Sequence, residues 1–85
     1  MTQEQIISRI KTIHPNTQVQ LNDLTGTQDH WQAIIISPAF ESKTMMQQHR
    51  LIFDLFKSEI ATNDVHALTL KTFTPDQATK NSIKF

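Results

Sequence analysis

The spacing of apolar residues near the N-terminus is helical. Ile6, Ile10 and Ile13 recur at intervals of four and three residues, which puts them on one face of a helix. Thr2 has capping-box spacing with the glutamine three residues later, so the helix can begin there. Pro15 ends the helix, because the residue before a proline avoids helical backbone angles.

Two strand-like patterns follow this helix. Residues 17–24 alternate between apolar and polar positions, which predicts a strand with one exposed face. Residues 25–29 include the only glycine of the chain, so we place a turn there. Residues 30–36 are densely apolar, and they predict a strand that is buried on both faces and ends before Pro38.

The second half of the chain begins with the longest helical periodicity. We predict one helix over residues 43–60, with Met45 and Met46 filling the core beneath it. A third strand is predicted over residues 65–73. A second capping box, with proline in the first helical position, predicts a last helix over residues 75–82.

The predicted order is helix, strand, strand, helix, strand, helix. A short turn joins the first two strands, so we expect them to be antiparallel, whereas a helical crossover makes the second and third parallel. Three strands with helices on one side form a two-layer α/β domain with a mixed sheet. The 85 residues suffice for one such domain, and we expect residues 1–85 to form it.

Composition excludes several kinds of site. The chain has no cysteine, so it forms no disulfide and supplies no thiolate ligand. Its net charge is +0, with −2 in residues 1–42 and +2 in the remainder, whereas proteins that depend on phosphate contacts usually have a clear basic excess. There is no glycine-rich phosphate loop, nucleophile elbow or zinc-binding histidine spacing, so we expect no catalytic activity.

The sequence carries no pattern for secretion or membrane insertion. The first four residues lack the basic flank and the apolar run of a signal peptide. No later segment is apolar over the length that spans a bilayer. We therefore expect a cytoplasmic protein that does not contact membranes.

Two of the four histidines lie where strands are predicted to begin. His30 starts the second strand and His66 the third, and parallel strands start at the same end of a sheet. Neighbouring strands lie about 4.8 Å apart, which would bring both imidazoles to one end of the sheet beside the predicted turn. Alternation puts His66 on the face of Leu68 and Leu70, but the matching face of the second strand stays open.

Each histidine also has a structural interpretation. His66 either hydrogen-bonds the margin of the sheet or ligates a metal, and His30 is either an exposed loop residue or a ligand. Trp31, beside it, is predicted to pack against a helix or to anchor a partner. His14 ends the first helix, where the helix dipole favours a cation. His49 is predicted to be buried and bonded to a backbone carbonyl.

Three stretches of the chain resemble the BolA family. They are residues 40–53 (FESKTMMQQHRLIF), 65–68 (VHAL) and 71–75 (KTFTP). The most specific matches are the His49-Arg50 pair and the strand start Val65-His66-Ala67. The tight turn before His30 is similar to that of the short, IbaG-type members of the family.

The chain departs from the family pattern at three positions. Ser42 stands where the family usually has glycine, which bears on the turn into the long helix. Gln48 replaces a common arginine and Phe53 a frequent tyrosine, and we expect neither to alter the fold.

The resemblance implies a fold like the second class of KH domains, without the Gly-x-x-Gly loop that holds RNA. It also implies a monothiol glutaredoxin partner and a shared 2Fe–2S cluster, in which the glutaredoxin cysteine and a glutathione thiol bind one iron. His66 would bind the other iron, with His30 as the candidate second ligand, and the isolated chain is expected to carry no cofactor. The implied role is a non-catalytic adaptor in iron–sulfur cluster trafficking or in iron and stress regulation.

Two other functions are consistent with the sequence. The KH-like fold and some BolA relatives make a DNA-binding transcriptional regulator the alternative, with Lys71, Lys80 and Lys84 as candidate phosphate contacts. The zero net charge opposes strong electrostatic binding of this kind. A purely structural interaction module would need only Trp31 and the exposed edge of the sheet.

Overall fold

A computed structural model of the chain describes residues 2–24, 26, 30–62, 67–83 and 85. Within these residues, four α-helices and three β-strands are joined by turns and two short 3-10 segments. The helices are α1 (Gln3–Ile10), α2 (Met45–Leu55), α3 (Lys57–Ala61) and α4 (Pro75–Lys80), and the strands are β1 (Gln18–Asp23), β2 (His30–Ile36) and β3 (Ala67–Phe73). The predicted order of elements is confirmed, with one helix divided in two.

The three strands form one mixed sheet in the order β1-β2-β3. β1 runs antiparallel to β2, with Leu21 opposite Ala33. β2 runs parallel to β3, with Ala33 opposite Leu70. The predicted two-layer α/β fold is therefore confirmed, and β2 is its central strand.

One face of the sheet holds the core. Along β2, Trp31, Ala33 and Ile35 are at most 1% exposed, because every second side chain of a strand points to the same side. The apolar stripes of α1 and α2 complete the cluster, and each fully buried isoleucine contributes about 2 kcal/mol to stability. The buried members from the rest of the chain are Ile6, Ile10, Leu21, Phe40, Ile52, Phe56 and Leu70.

The other face of β2 is half-buried, so the prediction of burial on both faces is wrong. His30, Gln32 and Ile34 lie on this face, whereas Ile36 at the strand end is buried. The amide of Asn22 on β1 donates to the Gln32 side chain at 3.3 Å. This polar pair belongs at a surface, because an amide sealed in an apolar layer would lack partners for its remaining groups.

Buried hydroxyl groups lie at the end of the central strand. Ser37 follows β2 and is fully buried, and its backbone N–H donates to the Phe73 carbonyl at 3.0 Å. Its hydroxyl hydrogen-bonds the Thr17 hydroxyl at 3.0 Å and accepts the Ala39 N–H at 3.1 Å. These contacts join the segments that flank all three strands at this end of the sheet.

The first helix begins as predicted and ends earlier than predicted. The Thr2 hydroxyl accepts the Gln5 backbone N–H at 3.2 Å, and the Gln5 side chain accepts the Thr2 N–H at 2.9 Å, which confirms the capping box. The α-helix ends at Ile10, and a 3-10 turn carries the chain on to Ile13. His14 is extended, as the residue before a proline prefers to be.

The predicted helix over residues 43–60 is divided at Phe56. Phe56 leaves helical geometry (φ −116, ψ 17), and its side chain is fully buried. The Arg9 guanidinium donates to the Leu55 carbonyl at 3.1 Å, pairs with Glu59 and lies 5.3 Å from the centre of the Phe56 ring. The last carbonyls of a helix lack intrahelical donors, so this contact from α1 stabilises the break.

Met45 and Met46 do not fill the core, and that prediction is wrong. Their side chains are 69% and 74% exposed. The inward position in the first turn of α2 is held by Gln48, which is 4% exposed, and His49 beside it is half-buried where burial was predicted. Spacing shows which residues share a helix face, but it does not show which face points inward.

Gln48 ties the loop before α2 to β3. Its amide nitrogen donates to the carbonyls of Phe40 and Lys43 at 3.2 and 3.0 Å. Its amide oxygen accepts a hydrogen bond from the Thr72 hydroxyl at 2.7 Å, and Thr72 is itself 8% exposed. An unpaired buried polar group destabilises a fold. Gln48 can be buried here because its amide nitrogen and its amide oxygen both have hydrogen-bond partners.

The last helix begins at the predicted capping box. The Thr74 hydroxyl accepts the Gln77 backbone N–H at 3.2 Å, and Pro75 occupies the first helical position. Ala78 is 5% exposed, and α4 contacts β3. No helix in the described ranges has the length and apolar character that crossing a membrane requires. The cytoplasmic location stays a prediction.

We expect Ser42→Gly to stabilise the protein by about 0.5 kcal/mol, since Ser42 has a left-handed backbone (φ 63) and an exposed side chain. That backbone costs a residue with a Cβ about 1–2 kcal/mol, and the greater freedom of glycine in the unfolded chain offsets part of the gain. Urea unfolding followed by circular dichroism measures the difference. Ser8→Gly, at an exposed position inside α1, is the control and should lower stability by about 0.5 kcal/mol. A loss of stability in Ser42→Gly would contradict the expectation.

We expect Gln48→Ala to lower the free energy of unfolding by about 2–3 kcal/mol, because two carbonyls and one hydroxyl lose their partner. Thr72→Val removes one donor and should cost about 1 kcal/mol. Chemical denaturation of both variants tests this order. Gln3→Ala, at an exposed position of α1, should change stability by less than about 0.5 kcal/mol. Similar losses in all three variants would show that the network is not the cause.

Candidate functional site

The parallel strands β2 and β3 begin side by side. His30 is the first residue of β2, and its partner across the ladder is Ala67, the first residue of β3. This pairing confirms that the second and third strands start at the same end of the sheet. His66 directly precedes Ala67 in the sequence and lies outside the described residues, so its part of the predicted site stays a prediction.

His30 is part of the sheet and not of an exposed loop. It is half-buried, and its carbonyl accepts the Leu24 backbone N–H at 2.9 Å, which closes the β1–β2 ladder. Gly26, in the connection, has φ 77 and donates its N–H to the Asp23 carboxylate at 3.0 Å. Glycine adopts a left-handed backbone without a steric penalty, so the turn predicted from Gly26 is consistent with the observed backbone of that residue. His30 is thereby held at the end of β2 by backbone hydrogen bonds.

The register between β2 and β3 shows which face of β2 lies on the same side of the sheet as Leu68 and Leu70. These residues pair with Trp31 and Ala33, and they therefore share the core face, whereas His30 belongs to the opposite face. Alternation of the sequence puts His66 with Leu68.

Trp31 is part of the core. It is 1% exposed, and its indole N–H has no hydrogen-bond partner in the described part of the chain. An unpaired buried donor costs about 1–3 kcal/mol, so the apolar packing of the ring must outweigh this loss. The prediction that Trp31 packs against the helices is confirmed, and the alternative, in which it anchors a partner, is wrong because the ring offers almost no surface.

The imidazole of His30 is a possible metal ligand at the start of β2. The described residues contain no group of three or more histidine, cysteine, aspartate or glutamate side chains that could hold a metal ion. The chain also has no cysteine. A neutral imidazole can ligate a metal, but a centre at this end of the sheet would take other ligands from a second molecule. The described residues are consistent with a metal centre that is shared with a second molecule.

The lysines proposed for nucleic-acid contact lie on different elements. Lys71 is exposed on β3, opposite Ile34, and Lys80 is exposed on α4. Lys84 lies outside the described residues. Two of the three candidate lysines are therefore exposed, one on a strand and one on a helix.

The geometry is that of a small α/β domain with an imidazole where its parallel strands begin. A family model described as BolA-like protein matches residues 6–77. The match covers most of the chain. The chain therefore belongs to the BolA-like protein family.

Individual relatives agree with this assignment. A BolA-like protein of Dictyostelium discoideum is 37% identical over 57 residues, which are 67% of this chain and 50% of that protein. The DNA-binding transcriptional regulator BolA of Haemophilus influenzae is 33% identical over 52 residues, which are 61% of this chain and 50% of that protein. The structure of a BolA homologue from Coxiella burnetii superposes with a TM-score of 0.74 and 31% identity, covering 93% of this chain and 97% of that one. The chain spans about half the length of the first two relatives.

Proposed function

We propose that this BolA-like chain is a non-catalytic adaptor that pairs with a monothiol glutaredoxin and shares a 2Fe–2S cluster with it. The role would lie in iron–sulfur cluster trafficking or in iron and stress regulation. The observation that carries the proposal is the pairing of His30 with Ala67, because it places His30 beside the strand start that His66 precedes. His66 is the proposed ligand from this chain, and His30 is the proposed second ligand.

The absence of cysteine supports a shared centre. Two imidazoles hold iron weakly by themselves, because iron–sulfur sites depend on anionic sulfur ligands. Thiolates from glutaredoxin and glutathione would supply that sulfur, and imidazole ligation of the other iron raises the reduction potential of such a cluster. In this proposal, the chain contributes imidazole nitrogens at the end of the sheet where β2 and β3 begin.

The test is anaerobic reconstitution with a monothiol glutaredoxin, glutathione, iron and sulfide, followed by visible circular dichroism and size-exclusion chromatography. We expect a heterodimer whose spectrum differs from that of the glutaredoxin alone. His66→Ala should abolish the difference, because one iron loses its ligand from this chain, and His30→Ala should weaken it.

His14→Ala is the matched control. His14 precedes β1, whose first residue Gln18 pairs with Ile36 at the far end of β2 from His30, so this variant should leave the spectrum unchanged. An unaltered heterodimer spectrum in His66→Ala would remove His66 from the site. Failure to form any heterodimer would end the proposal.

A second function is favoured by one relative, since the Haemophilus influenzae protein is named a DNA-binding transcriptional regulator. The net charge of +0 opposes it. We expect binding of an arbitrary duplex to be no tighter than a Kd of about 10⁻⁶ M at physiological salt, as measured by fluorescence anisotropy. Tight, salt-sensitive binding that both Lys71→Glu and Lys80→Glu weaken would instead favour the regulator.

A further inference from the structure

α2 carries a row of exposed side chains on the side away from the core. Met46, Arg50 and Phe53 lie on α2 at intervals of four and three residues, and Lys43 lies two residues before the helix. We call these four residues the α2 stripe. Met46 is 74% exposed and Phe53 is 36% exposed, and both cations are exposed as well. Lys57, the exposed first residue of α3, follows four residues later. On α2, the stripe therefore places the Arg50 cation between two exposed apolar side chains, with Lys43 before the helix and Lys57 beyond the break at Phe56.

Contacts on the buried side of α2 hold the backbone that carries the stripe. Thr44 caps α2 with a complete capping box, and the Gln48 amide donates to the Lys43 carbonyl at 3.0 Å. Ile52 is fully buried on that side. These contacts hold the backbone of Lys43 relative to the helix.

The cations of the stripe have no ion-pair partner within the described ranges. Arg9, in contrast, is paired with Glu59 on α3. Asp54 is exposed four residues after Arg50, yet the two side chains make no ion pair. Arg50 is therefore available to pair with a carboxylate from another molecule. The exposed Asp54, one turn along α2, would weakly repel that carboxylate.

We propose that the α2 stripe docks an acidic amphipathic helix of a partner protein. Such a helix presents carboxylates and apolar side chains at three- and four-residue intervals, which matches the spacing of Met46, Arg50 and Phe53 on α2. Nucleic acid would use the cations but leave Met46 and Phe53 without apolar contacts. The proposal does not involve the proposed cluster ligands, and binding at this surface needs no metal.

The probe is a capped, fluorescein-labelled, helix-forming peptide that alternates Leu and Glu at this spacing on one face. Binding is followed by fluorescence anisotropy at low ionic strength, without iron or glutaredoxin. We expect saturable binding that Arg50→Glu weakens about fivefold and that added salt weakens further. Met46→Gln, at a largely exposed position that the fold does not need, should weaken binding about threefold.

Lys80→Glu is the matched control, because it reverses an exposed charge on α4 and should change the affinity less than twofold. A peptide with Lys in place of Glu should not bind. The proposal would be overturned if Lys80→Glu acted as strongly as Arg50→Glu, or if the peptide did not bind at low salt. Displacement of the peptide by duplex DNA with the same dependence on Arg50 would also overturn it and identify a nucleic-acid surface.

Discussion

The central strand β2 is the constraint on which the other elements depend. It is hydrogen-bonded on both sides, antiparallel to β1 and parallel to β3, and its Trp31, Ala33 and Ile35 are almost completely buried. A shift of one residue would exchange this face with the half-buried one that begins at His30, so burial specifies the register. The same register brings the start of β3 beside His30. The position of the candidate ligand is therefore a consequence of core packing.

Two polar side chains determine how α2 lies on this sheet. Gln48 binds carbonyls before the helix and a hydroxyl on β3, and Arg9 binds the carbonyl of Leu55 at the other end. Each satisfies groups that would otherwise be unpaired in or near the core. Together they determine the rotation of the helix, and this rotation leaves Met46 and Phe53 at the surface. Buried polar contacts on one side of α2 thus define the surface on the other side.

Family membership and local geometry bear on function in different ways. The family match covers residues 6–77 and establishes the kind of domain, while its named relatives include a DNA-binding regulator. The cysteine-free sequence makes any iron–sulfur centre at the strand starts depend on a second molecule. Metal binding and partner binding would then be one coupled event, because neither half of the ligand set is sufficient alone.

The sequence by itself determined the order of the elements, the direction of each strand and several helix starts, such as that at Thr2. These follow from capping boxes, proline and apolar spacing, which act between residues a few positions apart. Only the tertiary structure decided the break at Phe56, the burial of Gln48 and the exposure of the methionines before it. The contact of Arg9 with the carbonyl at the break spans 46 residues, and that of Gln48 with Thr72 spans 24. Contacts at such separations leave no periodicity in the sequence, because they depend on how the finished elements meet.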